Sequence, residues 1–80
     1  MQKFAEHFGK DFGTKFEVIN DDVIFSKDRR IYVRKCLDEA TIERNKHTMV
    51  ALVEDRREPK VVFIDDGYCE ELKLHFMVYR

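Results

Sequence analysis

The chain has 80 residues, 44% of them hydrophobic and 39% charged, which excludes a disordered segment and predicts one globular domain over residues 1–80. Its 15 basic residues are balanced by 16 acidic ones, so it has neither the basic excess of a phosphate-backbone binder nor the acidic excess of a nucleic-acid mimic. A core of this size leaves little room for a substrate pocket. The length therefore disfavours an enzyme, and we expect no cofactor.

The first predicted element is an amphipathic helix over residues 2–12. Phe4, Phe8 and Phe12 are spaced four residues apart, so they fall on one stripe of a helix. Gly13 is placed to end it, as a glycine directly after the last turn. Because burial of each phenylalanine is worth about 1.5 to 3 kcal/mol, we expect this helix to lie on a sheet.

A three-stranded meander is predicted to follow the helix. Its strands cover residues 16–19, 23–25 and 31–37, which are rich in β-branched and aromatic side chains. The segments between them, residues 20–22 and 27–30, contain Asn and Asp, which tolerate the backbone dihedrals of turns. The first half of the chain is thus predicted as a helix and three antiparallel strands.

The second half is predicted as a short helix and a second meander. Two acidic residues at the start of residues 38–47 are typical of the first turn of a helix. Residues 48–54 and 60–64 are apolar and β-branched and predict two strands, separated by a polar loop over residues 55–59. The Asp-Asp-Gly segment at residues 65–67 predicts the turn before the last strand.

The last strand, residues 72–79, alternates in character. Its two faces carry Leu72, Leu74, Phe76 and Val78 on one side and Lys73, His75, Met77 and Tyr79 on the other. The first set is expected to meet the phenylalanine-bearing helix or the interior of a barrel. The predicted fold class is therefore α+β: an N-terminal helix packed on a twisted antiparallel sheet of five to six strands, open or partly closed into a barrel, with a short second helix between two meanders.

The other face of this sheet is predicted to be an interface. One short helix cannot cover both faces of a five- or six-stranded sheet, and exposed apolar patches on soluble proteins usually mark binding sites. The residues expected on the uncovered face are Ile19, Ile24, Tyr32, His75, Met77 and Tyr79. We expect this face to bind another protein, or a second copy of the chain in a homodimer.

An alternative is binding of RNA or single-stranded DNA by the second hairpin. The densest basic group of the chain surrounds a tyrosine and comprises Arg29, Arg30, Tyr32, Arg34 and Lys35. Aromatic and basic side chains on one strand can stack bases and neutralise phosphates. The acidic residues that border this group favour a solvated, salt-bridged hairpin instead.

A second alternative is a small metal-dependent nuclease. Glu71 and Lys73 lie two residues apart at the start of the last strand, with Asp55 or Asp65 upstream, and such carboxylates can hold Mg²⁺ while the lysine assists the attacking water. Glu-x-Lys arises readily by chance in a chain with 39% charged residues. We therefore favour a solvated strand edge over a nuclease site.

The histidines and cysteines predict no metal site and no catalytic residue. They are His7, Cys36, His47, Cys69 and His75, and no pair of them has the spacing of metal ligands. Nucleophilic catalysis by Cys69 with His75 would require the two side chains to meet, and their spacing gives no reason to expect contact. Both cysteines are predicted to be buried small hydrophobic residues.

The cellular compartment is predicted from the cysteines and from the lack of a recognisable targeting or membrane-spanning segment. The chain shows no signal sequence and no apolar run long enough to span a bilayer, so we expect free thiols and a cytoplasmic protein without a membrane partner. The predicted function is a small non-enzymatic protein-binding module, acting as an inhibitor, adaptor or regulatory protein. Small proteins of this kind are common among phage and mobile-element products.

Overall fold

A computed structural model describes the backbone of residues 1–54 and 62–80, and the side chains of residues 1–47 and 62–80. The first element, α1, is an α-helix over Gln2–Phe12, as the phenylalanine stripe predicts. It ends at Gly13, whose φ of 65° is left-handed and therefore favours glycine. The amide of Thr14 donates to the carbonyl of Gly9 at 3.1 Å and closes the last turn.

Five strands form one antiparallel sheet. They are β1 (Glu17–Val18), β2 (Val23–Ser26), β3 (Ile31–Cys36), β4 (Phe63–Cys69) and β5 (Leu74–Tyr79), in the spatial order β1-β2-β3-β5-β4. The first three strands are the predicted meander. In its first turn the Asn20 side chain accepts hydrogen bonds from the amides of Asp22 and Val23, at 2.8 and 3.0 Å. The sheet is not closed, so the barrel alternative is wrong.

The second helix, α2, covers Glu39–Glu54 and is longer than predicted. Its start is capped by Asp38, whose carboxylate accepts hydrogen bonds from the amide and the hydroxyl of Thr41, each at 2.8 Å. The strand predicted over residues 48–54 is wrong, because this segment continues the helix. No Gly or Pro interrupts residues 39–54, and a helix that has started adds one hydrogen bond for each further residue.

The hairpin of β4 and β5 places its turn later than predicted. Residues 65–67 lie inside β4, so the turn predicted there is wrong, and the chain reverses at residues 70–73 instead. Gly67 pairs with Phe76, whose ring comes within 3.5 Å of the place a Cβ would occupy. This glycine therefore accommodates an aromatic ring across the strands. The loop predicted at residues 55–59 lies outside the described residues.

The two helices cover opposite faces of the sheet. Beneath α1 lies a cluster of buried side chains from the helix and the first sheet face: Phe4, Ala5, Phe8, Phe16, Ile24, Ile31, Val33 and Val78. Leu72, Leu74 and Phe76 pack against it, which confirms the predicted core face of the last strand. A smaller cluster of Cys36, Ile42, Met77 and Tyr79 lies beneath α2.

The sheet face that was predicted to be an exposed interface is largely covered by α2. Met77 and Tyr79 are buried against Ile42 of α2 and half-buried Phe63. Ile24 is also buried, but on the opposite face beneath α1. The expected exposure of these three residues is therefore wrong: Ile42 and Asn45 of α2 cover the face that carries Met77 and Tyr79, and α1 covers Ile24 on the other face.

Candidate functional site

Four of the large exposed apolar side chains lie on or beside β4 or directly after β3. Val62, Ile64 and Tyr68 are about half exposed on and beside β4, and Leu37, which follows β3, is 86% exposed. We call these four residues together with half-buried His75 the β4 surface. Exposed hydrophobic side chains that are grouped in this way mark binding surfaces more often than isolated ones do.

Two neighbouring clefts open within the β4 surface. The larger, of about 470 Å³, is lined by Cys36, Leu37, Tyr68, Leu74 and His75 together with the charged residues Asp22, Lys35 and Lys73. The smaller, of about 310 Å³, lies between the start of α2 and β4 and shares Tyr68 and His75 with the first. The rings of Tyr68 and His75 meet edge to face with centroids 4.9 Å apart. This pair therefore forms the ridge between the two clefts.

Among the described residues, the outer edge of the seven-residue strand β4 is unpaired. Within the described residues β4 pairs only with β5, so the backbone groups on its outer side have no strand partner. Asp65 and Asp66 are exposed on this strand. Lys46 of α2 lies 2.5 Å from Asp66, and this hydrogen bond raises the pKa of the lysine. An open edge with acidic side chains suits a basic, extended segment of another protein.

The six residues of the predicted interface do not form one surface. His75 belongs to the β4 surface. Ile19 is 54% exposed, but it follows β1 at the opposite edge of the sheet. Tyr32 is half-buried between two rings, and the remaining three residues are buried in the two cores. Of the six residues predicted to form an interface, His75 is the one that belongs to the β4 surface. The other residues of that surface were not among those predicted.

The residues of the nucleic-acid alternative are divided between the two sheet faces. Tyr32 stacks on Tyr79, with centroids 5.2 Å apart and planes 10° apart, and its other side meets Phe25 at 4.6 Å. Both faces of the Tyr32 ring are therefore occupied by neighbouring rings, whereas base stacking requires a free face. Arg34 shares this sheet face, and its Nε is buried without a hydrogen-bond partner among the described residues. Lys35 points to the other face, opposite Phe76.

The remaining basic residues of that alternative, Arg29 and Arg30, are exposed in the turn between β2 and β3. Arg30 has a φ of 55°, and its amide donates to the carbonyl of Ser26 at 2.8 Å. These two arginines therefore lie in a turn beyond the ends of the strands. Of the four basic residues in this alternative, Arg34 alone lies on the sheet face of Tyr32.

The Glu71 and Lys73 pair of the nuclease alternative lies in a turn. Both residues belong to the four-residue connection between β4 and β5, and Lys73 has a φ of 54°. The expectation that they share one strand face is therefore wrong. Asp55 lies outside the described residues, and Asp65 is on the exposed edge strand β4. Among the described residues, no group of three or more His, Cys, Asp or Glu side chains is arranged to hold a metal ion.

A contact that the sequence did not predict joins the helix to the last hairpin. The Sγ atom of Cys69 lies 3.3 Å from Nε2 of His7, and Nδ1 of the same ring lies 3.3 Å from Oε2 of Glu71. The cysteine and the histidine are 62 residues apart in the chain. No local spacing signals such a contact, because it exists only when α1 packs on the sheet.

The second cysteine has a different environment. Cys36 is buried beneath α2, and its burial raises the pKa of its thiol, against the opposing effects of Arg34 and of the hydrogen bond from Asn45. Both cysteines are free, and their burial confirms the prediction of small hydrophobic residues. Cys36 lies in the cluster beneath α2, whereas Cys69 contacts His7 of α1 on the other side of the sheet, so a disulfide between them is excluded in this fold.

Comparisons with protein-family models, with curated proteins and with solved structures find no match to this chain. No helix in residues 1–54 or 62–80 has both the length and the apolar character needed to cross a bilayer. Any proposal about function therefore depends on the geometry of the surfaces described above.

Proposed function

We propose that the chain is a small non-enzymatic protein-binding module, an inhibitor, adaptor or regulatory protein, whose partner docks on the β4 surface. The observation that carries this proposal is the grouping of Leu37, Tyr68 and His75 around two clefts beside an open strand edge. Aromatic residues set in pockets are the usual energetic centres of protein interfaces. An open edge adds main-chain hydrogen bonds to those contacts.

The charge of the edge favours a different protein over a second copy. In a homodimer that pairs two β4 strands about Asp65, this carboxylate of one copy would approach that of the other, whereas Asp66 is already paired with Lys46. Like charges opposite each other in a sheet are destabilising, and like-charge contacts across an interface oppose association. The partner we propose presents an extended segment that alternates apolar and basic side chains.

The setting we propose is the cytoplasm of a cell that carries a phage or another mobile element. The support for the cytoplasm is chemical: both cysteines are free thiols on opposite sides of the sheet, as expected of a protein from a reducing compartment. Interference with host machinery is a common role for small binding proteins of such elements, and it requires no active site.

Affinity capture with matched variants tests the proposal. The purified chain is immobilised beside the double variant Leu37→Asp, Tyr68→Asp and beside Ile19→Asp, and proteins retained from an extract of the source cells are quantified by mass spectrometry. Ile19 is a suitable control because it is similarly exposed but lies at the opposite edge of the sheet. All three positions are exposed, so thermal unfolding should show each variant folded.

The expected result is a protein retained by the wild-type chain and by Ile19→Asp and lost with the double variant. Equal retention by the double variant would refute the β4 surface as the docking site. Light scattering of the purified chain at increasing concentration separates the homodimer: a dimer that the double variant dissolves would mean that the partner is a second copy.

A further inference from the structure

A third cleft, of about 350 Å³, lies between α1 and the β4–β5 hairpin. Among the described lining residues, Tyr68 is the one that it shares with the two clefts of the β4 surface. Cys69 and His7 are among its lining residues. Cys69 is buried overall, yet it lines this cleft, and its sulfur is in contact with an imidazole. The proposed protein-binding function assigns no role to this group.

Three side chains here have the arrangement of an activated nucleophile. His7 Nε2 is 3.3 Å from the Cys69 sulfur, and His7 Nδ1 is 3.3 Å from the Glu71 carboxylate. One ring nitrogen can therefore accept the thiol proton while the other donates to the carboxylate. A nucleophile in reach of a base that a third group orients is the general signature of covalent chemistry. Cys69 is the nucleophile, His7 the base, and Glu71 a positioning residue.

The remaining lining residues indicate the charge of a ligand. Asp11, Glu70 and Glu71 contribute three carboxyl groups, and no lysine or arginine is among the described residues that line this cleft. Three aromatic side chains, Phe8, Tyr68 and Phe76, form much of the rest. Carboxylates attract a cation by Coulomb interaction, and aromatic rings attract one through their faces.

We propose that Cys69 is a thiol-modification site that reacts with small cationic disulfides. The Cys69 proton moves to His7 Nε2, and the sulfur attacks one sulfur of the disulfide. The S–S bond of the reagent breaks as the new S–S bond to Cys69 forms, and the departing thiolate takes the proton from the imidazolium. Cys69 is oxidised to a mixed disulfide and the leaving sulfur is reduced to a thiol, so the exchange requires no other oxidant.

Cys36 provides an internal comparison. It is buried beneath α2 and, like Cys69, lines an open cleft, the larger one of the β4 surface. Its sulfur contacts Asn45 and the backbone of Arg34. Its burial raises the pKa of its thiol, and its hydrogen-bond partners among the described residues, a backbone carbonyl and an amide side chain, are not bases. Both cysteines are buried, with 4% of Cys36 and 8% of Cys69 exposed. A selective reaction at Cys69 would therefore be caused by the groups around its thiol and not by greater exposure.

The test is the rate of mixed-disulfide formation measured by intact mass spectrometry. The folded chain is incubated with cystamine, which is cationic, with the neutral 2-hydroxyethyl disulfide, and with the anionic dithiodipropionate. Each rate is divided by the rate for the same chain unfolded in urea, which removes the intrinsic reactivity of the reagent. We expect addition at Cys69 before Cys36, and cystamine to be favoured over the anionic reagent by about tenfold or more, as clefts of one charge sign concentrate opposite ions.

Variants separate the roles of the three residues. Cys69→Ser should abolish fast addition and Cys36→Ser should leave it unchanged. His7→Gln should slow addition by at least about tenfold, a smaller effect than general bases have in enzymes. Lys27→Gln, which changes a residue in an exposed turn, should leave the rate unchanged. Glu71→Ala should slow it less, and Glu71→Gln should restore part of the rate because the amide oxygen still accepts from His7.

Equal rates at Cys69 and Cys36, or no effect of His7→Gln in a chain that remains folded, would overturn the proposal. An absence of charge preference among the three disulfides would overturn the assignment of a cationic ligand. Because the readout is a covalent mass change on the isolated chain, its outcome does not depend on whether the β4 surface binds a partner.

Discussion

Met77 and Tyr79 lie beneath α2 in contact with Ile42, and Asn45 brings its amide within 3.8 Å of the Met77 sulfur. Residue type alone does not separate these two side chains from interface residues, because Met and Tyr are common in both settings. Their function is decided by what covers them. In this fold a helix of the same chain does so, and the two residues are part of the core.

Truncation of Met77 tests this assignment. Met77→Ala should lower the free energy of unfolding by about 2 to 5 kcal/mol, the range for large-to-alanine changes in a core. Met77→Leu, which keeps the volume, should cost less than about 1.5 kcal/mol. Urea denaturation measures both. Wild-type stability in Met77→Ala would show that the residue is exposed and would return it to the surface.

At the level of elements, α2 depends on its start at Asp38. The hydrogen bonds from Thr41 lower the pKa of the Asp38 carboxyl below its ordinary value. A carboxyl whose pKa is lowered by folding stabilises the fold above its unfolded pKa and loses that contribution as pH falls through the folded pKa. The contribution of this cap should therefore be present at neutral pH and disappear in the acid range below the ordinary Asp pKa.

The variant Asp38→Ala should accordingly be less stable than wild type at neutral pH, and the difference should vanish in acid. Asp38→Asn should stay near wild type at neutral pH, because Asn caps helices about as well as Asp. Thermal unfolding followed by circular dichroism at several pH values measures this. A difference between wild type and Asp38→Ala that persists unchanged into acid would contradict the cap as its origin.

The end of α1 offers a second test at this scale. An alanine in place of a helical glycine ordinarily stabilises by up to about 1 kcal/mol. At Gly9, however, a Cβ would come within 2.9 Å of the Thr14 carbonyl oxygen, which is a backbone atom with little freedom to move. Gly9→Ala should therefore lower stability in urea denaturation. An increase in stability would show that the helix and the following turn are less closely packed than described.

The elements that the sequence predicted correctly have local signals. The stripe of Phe4, Phe8 and Phe12 defines α1, and the Asn and Asp residues of the first turn define the meander. Residues 48–54 were assigned to the wrong element because a short apolar run fits a buried strand and a buried helix equally well. The turn predicted at residues 65–67 was misplaced because the Asp-Gly pair favours a turn locally, whereas in the fold Gly67 pairs with Phe76 of β5. The contact of His7 with Cys69 required the whole fold.

On the scale of the whole molecule, residues 1–54 and 62–80 form a sheet that is covered centrally by a helix on each face and is unpaired at its β4 edge. The two helices account for the apolar faces of the central strands, so the exposed hydrophobic residues move to the periphery. Leu37 and Tyr68 are among them. The proposed partner therefore binds at an edge of the sheet, whereas the sequence predicts binding at a face.

Hydrogen–deuterium exchange on the chain with its captured partner is the most direct test of this central claim. We predict slower exchange for the amides of β4 and for those around Leu37 when the partner is added, because an added strand and a covered cleft remove them from water. Exchange in β1, at the opposite edge, should not change. Protection confined to β1 or to the outer face of α1, with β4 unchanged, would contradict the account.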